Sequence, residues 1–196
     1  MPRIDERIQE KQYKRLIEYL CDNCNVFVYV VSIYDYLECE SLKKEYNEYL
    51  KNIKEISGQL DRYLIKKKHT PLNFIQMGLN DNDEENEEYE TGEYIYDICF
   101  FKISEELKRT IIEKANKLED WKSPKLPEDI MFIKDNYIKF SLVSHEKMAY
   151  IYCENEEEMK TIENLGIKFR EKYIKKNEEY NRKESEELLK KIDINR

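Results

Sequence analysis

Leu126–Tyr152, LPEDIMFIKDNYIKFSLVSHEKMAYIY, is the stretch that decides the fold. Asp129 to Lys134 is rich in apolar and aromatic residues and suits a strand. Asp135-Asn136 supplies a two-residue hairpin turn. From Tyr137 to Val143 the residues alternate. Ile138, Phe140 and Leu142 should face the core, with Lys139 and Ser141 facing the other way. Ser144 to Lys147 turns again, and Met148 to Cys153 reads as a third strand. Strands joined by short turns make an antiparallel meander with one better-buried face.

Upstream, Ile4 to Leu20 carries apolar residues at helical spacing, and Val26 to Ile33 (VFVYVVSI) is continuous enough for a central strand buried on both faces. Leu42 to Leu64 predicts a long helix, with Gly58 inside it and Lys66-Lys67-Lys68 suited to its C-terminal dipole. His69 to Gly92 reads as irregular, with a short strand at Asn73 to Met77. Tyr94 to Lys102 returns to strand. Ser104 then caps a helix whose Leu107, Ile111, Ala115 and Leu118 share a face. Downstream, Asn155 and Glu158 form a capping box, Gly166 ends that helix, and Ile167 to Phe169 suits a short edge strand. Asp97-Ile98-Cys99-Phe100-Phe101-Lys102 echoes Asp129-Ile130-Met131-Phe132-Ile133-Lys134, and a helix between them could make the two strands parallel neighbours. The expectation is an α+β fold: a mostly antiparallel sheet of about five strands packed by helices. Residues 1–170 form a single domain with a mobile acidic loop at 80–93, followed by a charged helical tail at 171–196.

Of the 196 residues, 40% are apolar, enough for a real core, and 39% are charged, so much of the helix surface is solvated. The formal charge of −8 has one source. Asp81, Asp83, Glu84, Glu85, Glu87, Glu88, Glu90 and Glu93 lie together with no base among them, and the remaining 34 acids are balanced by 34 bases. An acidic loop on a neutral body suits a protein partner with a basic surface and argues against binding nucleic acid through its phosphates. No apolar run of membrane-spanning length exists, and the N-terminus lacks an apolar signal core, so a cytoplasmic protein with reduced thiols is expected.

Only four glycines occur, at 58, 78, 92 and 166, and none are clustered. Both the dinucleotide fingerprint and the phosphate loop need clustered glycine for close backbone approach, so neither is present and no cofactor is expected. Cys21-Asp22-Asn23-Cys24 has the spacing of a metal-ligand pair, which suggests a metal-binding regulator if further ligands join it. His145-Glu146 begins like a zincin motif, but Ala149 stands where the second histidine belongs. His145, in a turn with Glu128, Asp129 and Asp135 nearby in sequence, is the candidate general base of a hydrolase-like enzyme. Asp81, Asp83 and Glu85 alternate as in a calcium loop. However, Asn86 replaces the turn glycine and Gly92 the terminal glutamate, which leaves docking as their role.

The tract Leu126–Lys134, with Ser144-His145-Glu146 and the strand after it, resembles a segment of a family of small uncharacterised proteins from Firmicutes and their phages. Some of these carry a stage III sporulation label. The resemblance covers Leu126 to Phe169 and implies a low-GC Gram-positive bacterium or its phage as the source. It brings no activity and no site residue. The leading expectation is a non-enzymatic protein-binding module, such as an immunity or defence-inhibitor protein, that docks a basic partner through its acidic loop.

Overall fold

The computed structural model describes residues 2–5, 7–34, 40–70 and 94–170. In chain order they form β1 (Arg3–Ile4), α1 (Glu10–Asn23), β2 (Val26–Tyr34), α2 (Glu40–Leu60), β3 (Leu64–Thr70), β4 (Tyr94–Lys102), α3 (Glu105–Lys114), β5 (Glu128–Lys134), β6 (Tyr137–Val143), β7 (Met148–Ile151) and α4 (Glu156–Asn164). The fold is α+β. The sheet has seven strands in the order β1-β7-β6-β5-β2-β4-β3, and every neighbouring pair is antiparallel. The acidic run Asp81–Glu93, the stretch Asn73–Met77, Cys39 and the tail 171–196 lie outside the described residues.

The two strands beyond the expected five are the edges. Ile4 was expected to begin a helix. It instead pairs with Ala149 in β1, and α1 starts only at Glu10. Its apolar side chain serves an edge strand as well as a helix face, and pairing settles the choice. At the other edge α2 ends at Leu60, a 3-10 turn spans Asp61–Tyr63, and Lys66-Lys67-Lys68 lie in β3. The lysines therefore serve a strand edge and not a helix terminus. Lysine on an edge strand also discourages pairing with other sheets.

All four helices lie on one face of the sheet. Tyr13, Leu16 and Ile17 of α1, Tyr49 and Ile56 of α2, Leu107 of α3 and Ile162 of α4 share one cluster with Phe27, Tyr29, Phe101, Phe132 and Phe140 of the strands. Trp121, fully buried, stands edge-on to Phe27 at 5.7 Å between ring centroids. Its indole N–H donates to the Tyr13 hydroxyl (2.9 Å), which donates in turn to the Ile111 carbonyl (3.2 Å). On the opposite face Val26, Val28, Val30, Phe100, Met131 and Ile133 belong to a second cluster, to which only strands contribute among the described residues. As expected, β2 is central and buried on both faces. Its neighbours are β4 and β5, which carry the echoed D-I-x-F-x-K sequences. Those two strands point the same way, but β2 runs between them, so they are not neighbours.

The alternation expected along β6 breaks at a bulge. Phe132 pairs with Phe140 and Ile133 with Ile138, so Lys139 is the extra residue. Ile138 consequently joins the second cluster, while Phe140 and Leu142 join the first. Lys139 is driven inward and is fully buried. A bulge re-aims one side chain in this way because the period of two is interrupted. The caps follow expectation. Ser104 Oγ accepts from the Leu107 N–H (3.2 Å), Asn155 Oδ1 accepts from the Glu158 N–H (2.9 Å), and Gly166, at φ +88°, follows α4.

Candidate functional site

Antiparallel pairing brings the chemistry-bearing groups to one end of the sheet. There β2, β3 and β6 finish and β4, β5 and β7 begin. Thr70 and Tyr94, which bracket residues 71–93, end at the same place. Both histidines of the chain lie at this end, and each sits beside the aspartate of one echoed sequence.

His145 occupies the turn between β6 and β7, and its side chain is 53% exposed. Its Nδ1 stands 4.0 Å from Glu128 Oε2, while Glu128 Oε1 accepts from the Ser123 N–H (3.1 Å). Asp129 lies behind this pair, buried, with a left-handed φ of +49°. Its N–H donates to Ser144 Oγ (2.9 Å), and its Oδ1 accepts from the Ser144 N–H (2.8 Å). Burial pushes the Asp129 carboxyl above its ordinary value, against the Ser144 hydrogen bonds and the nearby His145. Of the carboxylates that sequence proximity suggested, Glu128 and Asp129 lie near His145, whereas Asp135 sits in the β5–β6 turn at the opposite end of the sheet, its N–H donating to Asn25 Oδ1 (2.8 Å). Ser144 is committed to Asp129, so it is not aligned as a nucleophile for the histidine.

A second pair has better geometry. His69 Nδ1 lies 2.9 Å from Asp97 Oδ1, and Lys67 Nζ lies 2.5 Å from Asp97 Oδ2. Asp97 is buried, whereas His69 is 62% exposed. The carboxylate engages Nδ1, the kind of contact that orients a histidine ring for general-base work. The hydrogen bond to Asp97 also raises the Lys67 ammonium pKa. Sequence reasoning missed this trio because it read Lys66 to Lys68 as a helix end. The signal was the strand period of two, which puts Lys67 and His69 on one face opposite Asp97. The two histidines are four strand spacings apart, about 19 Å, so they do not act on one bond.

The cysteine pair is placed differently. Cys21 is buried on α1 and Cys24 follows it, and both thiols are free. Burial, above all, pushes each thiol up to about 12. That opposes the thiolate a metal ligand must supply. Among the described residues no group of three His, Cys, Asp or Glu side chains is placed to hold a metal ion. A cleft of about 320 Å³ opens between α2, the end of α3 and the segment after it. It contains neither histidine nor cysteine, and its charges are paired in Lys114–Glu55 (2.6 Å) and Lys125–Asp120 (3.3 Å). No helix among the described residues is long and apolar enough to cross a membrane.

Compared with protein-family models, with curated proteins and with solved structures, the chain has no match.

Proposed function

We propose that the chain is a non-enzymatic protein-binding module, of the kind an immunity or defence-inhibitor protein represents. It captures a basic partner through Asp81–Glu93. One observation carries the reading: β3 and β4 are paired antiparallel neighbours, yet residues 71–93 join them. Two to five residues suffice for a hairpin, and connections beyond about 15 residues are uncommon and usually functional or linker segments. This one holds eight acids, matching the full net charge of −8. A concentrated charge of one sign accelerates capture of the opposite sign by long-range attraction.

The test replaces the eight acids by their amides. The association rate with the partner captured from the native host should fall, and its dependence on salt should flatten. An unchanged rate and salt slope would exclude the segment as the docking element. A second reading is a hydrolase-like centre at His145, favoured by the approach of Glu128 and Asp129 to it. Ester and phosphoester turnover that disappears in His145→Ala would establish that reading, and turnover indifferent to the substitution would remove it.

A further inference from the structure

One cation of the fold has a buried nitrogen that nothing accepts from. Arg3 is half-buried in β1, and among the buried side-chain nitrogens and oxygens of the described residues its Nε is the one without a hydrogen bond. Its guanidinium also takes part in no ion pair or ring contact among the described residues. A guanidinium does not escape by losing its proton, so such an N–H forfeits its hydration until an acceptor reaches it.

The pairing around β1 shows what surrounds it. Ile4 belongs to the helix-side cluster, so Arg3, next to it, points to the opposite face. On one side Arg3 is in register with Tyr150 of β7. On the other, Ile4 pairs antiparallel with Phe169. The Arg170 N–H donates to the Arg3 carbonyl (2.9 Å), and the Asp5 N–H donates to the Lys168 carbonyl (2.8 Å). Arg170 therefore stands directly opposite Arg3, and Lys168 opposite Asp5, with all four on the same face. Like charges set opposite each other across a sheet repel. Asp5, the acid on this face of β1, does not relieve Arg3. Its Oδ1 accepts from Arg7 Nε (2.9 Å) and Arg170 Nη2 (3.3 Å), and its Oδ2 accepts from Arg7 Nη2 (2.8 Å). Lys168 is exposed and has no ion pair among the described residues.

We infer that this edge of the sheet is an oxyanion site, anchored by Arg3 with Arg170 and Lys168 beside it, and that it takes a phosphate group. A phosphate oxygen accepts from the Nε that the fold leaves unsatisfied, and the guanidinium fork matches phosphate geometry. The anion also lies between two guanidiniums that otherwise repel. Three cations with one carboxylate, already shared, suit a dianion better than a singly charged carboxylate ligand. The balanced charge of the chain outside the acidic run hides the site, because residues 3–7 and 168–170 meet only through β1. The site is independent of the acidic segment and of the docking it is proposed to do.

The test is equilibrium dialysis of the full chain against labelled inorganic phosphate at fixed ionic strength. Saturable, stoichiometric binding is expected. Arg3→Met keeps an apolar stem and should weaken binding by about tenfold or more. Arg3→Lys should weaken it nearly as much, because a point-charge ammonium has no Nε to offer at that depth. Phosphate should raise the melting temperature of the unaltered chain and leave that of Arg3→Met unchanged. O-phosphoserine in place of the free ion distinguishes the source. Tighter binding of the ester identifies an organic phosphate and equal binding the free ion, and both support the site. Absence of saturable binding, an affinity unchanged in Arg3→Lys, or acetate held as tightly as phosphate would each overturn the inference. If Arg3→Met does not fold, Arg3→Lys decides the question alone.

Discussion

Glu158→Ala should be among the most damaging single substitutions in the chain, because it strands a buried charge. Lys139 is the bulged residue of β6 and has no exposed surface. Its ammonium donates to Glu158 Oε1 (2.5 Å) and lies 5.8 Å from the centre of the Tyr152 ring. The same carboxylate accepts from the Tyr19 hydroxyl (2.6 Å) and from the Glu154 N–H (2.6 Å). Burial pushes the Glu158 carboxyl up, but the hydrogen bonds from Lys139, Tyr19 and Glu154 outweigh it and hold it below its ordinary value. Removing one partner of a buried pair costs roughly 3–5 kcal/mol, because the other charge is left uncompensated. That is a large part of the ~5–15 kcal/mol by which a domain is stable. Urea titration should show the loss as a lower midpoint at unchanged slope. Lys139→Met in the Glu158→Ala background should then recover about 2 kcal/mol, since no stranded charge remains and a methionine fills the space. A cost below about 1 kcal/mol for Glu158→Ala, or a double variant no more stable than the single one, would refute the reasoning: the ammonium would be hydrated in solution and the bulge would not bury it.

Tyr13→Phe should cost about 1–3 kcal/mol in thermal or urea unfolding, because the Trp121 N–H and the Ile111 carbonyl lose their shared partner. Gly58→Ala should raise stability by up to about 1 kcal/mol, since α2 runs straight through Gly58 and an added Cβ meets nothing within 4 Å. A fall in melting temperature would show that the position needs glycine. Asp129→Asn tests pH linkage. A carboxyl raised in the folded state binds its proton more readily there than in the unfolded chain. The stability it contributes is complete below the ordinary value of 3.8 and is lost as pH rises through the higher folded value. Urea midpoints measured across that interval should lose this downward slope in the variant. Asp97→Asn should release His69 from its fixed tautomer, which ring-nitrogen NMR shifts would report.

The centre of the sheet could be read from the sequence because burial on both faces leaves little freedom. VFVYVVSI has no polar face to offer water, so β2 had to be central, and the short turns of Leu126–Tyr152 fixed the order of its three strands. The edges could not be read in the same way. Ile4, with Arg3, and Leu64, with the lysines after it, fit helix and strand equally well, and the choice depends on a pairing strand far away in sequence. Lys139 shows a second limit. A perfect alternation pointed it toward solvent, and one inserted residue, visible only when β5 is laid beside β6, reversed its direction. The same dependence hid His69, which is an ordinary residue until Asp97 stands opposite it in register.

The echoed D-I-x-F-x-K sequences are not a structural repeat. Both strands flank β2 and are buried on both faces, so each needs apolar residues at successive positions, but the two motifs are out of phase with respect to those faces. The matched residues face opposite ways: Ile98 and Phe100 lie in the strand-only cluster, whereas Ile130 and Phe132 face the helices, and in β4 it is Phe101, one residue past the echoed phenylalanine, that stands beside Phe27 (6.2 Å between ring centroids). The leading aspartates mark where each strand emerges from the core, and the strand ends account for their partners: Asp97 lies opposite His69 in β3, and Asp129 meets Ser144 at the close of β6. Convergence of two strands on one central partner thus places two buried carboxylates and both histidines at a single end of the molecule. Thr70 and Tyr94, between which residues 71–93 run, lie at that same end. The grouping of these side chains is therefore organised by the strand order, even though they lie far apart in sequence.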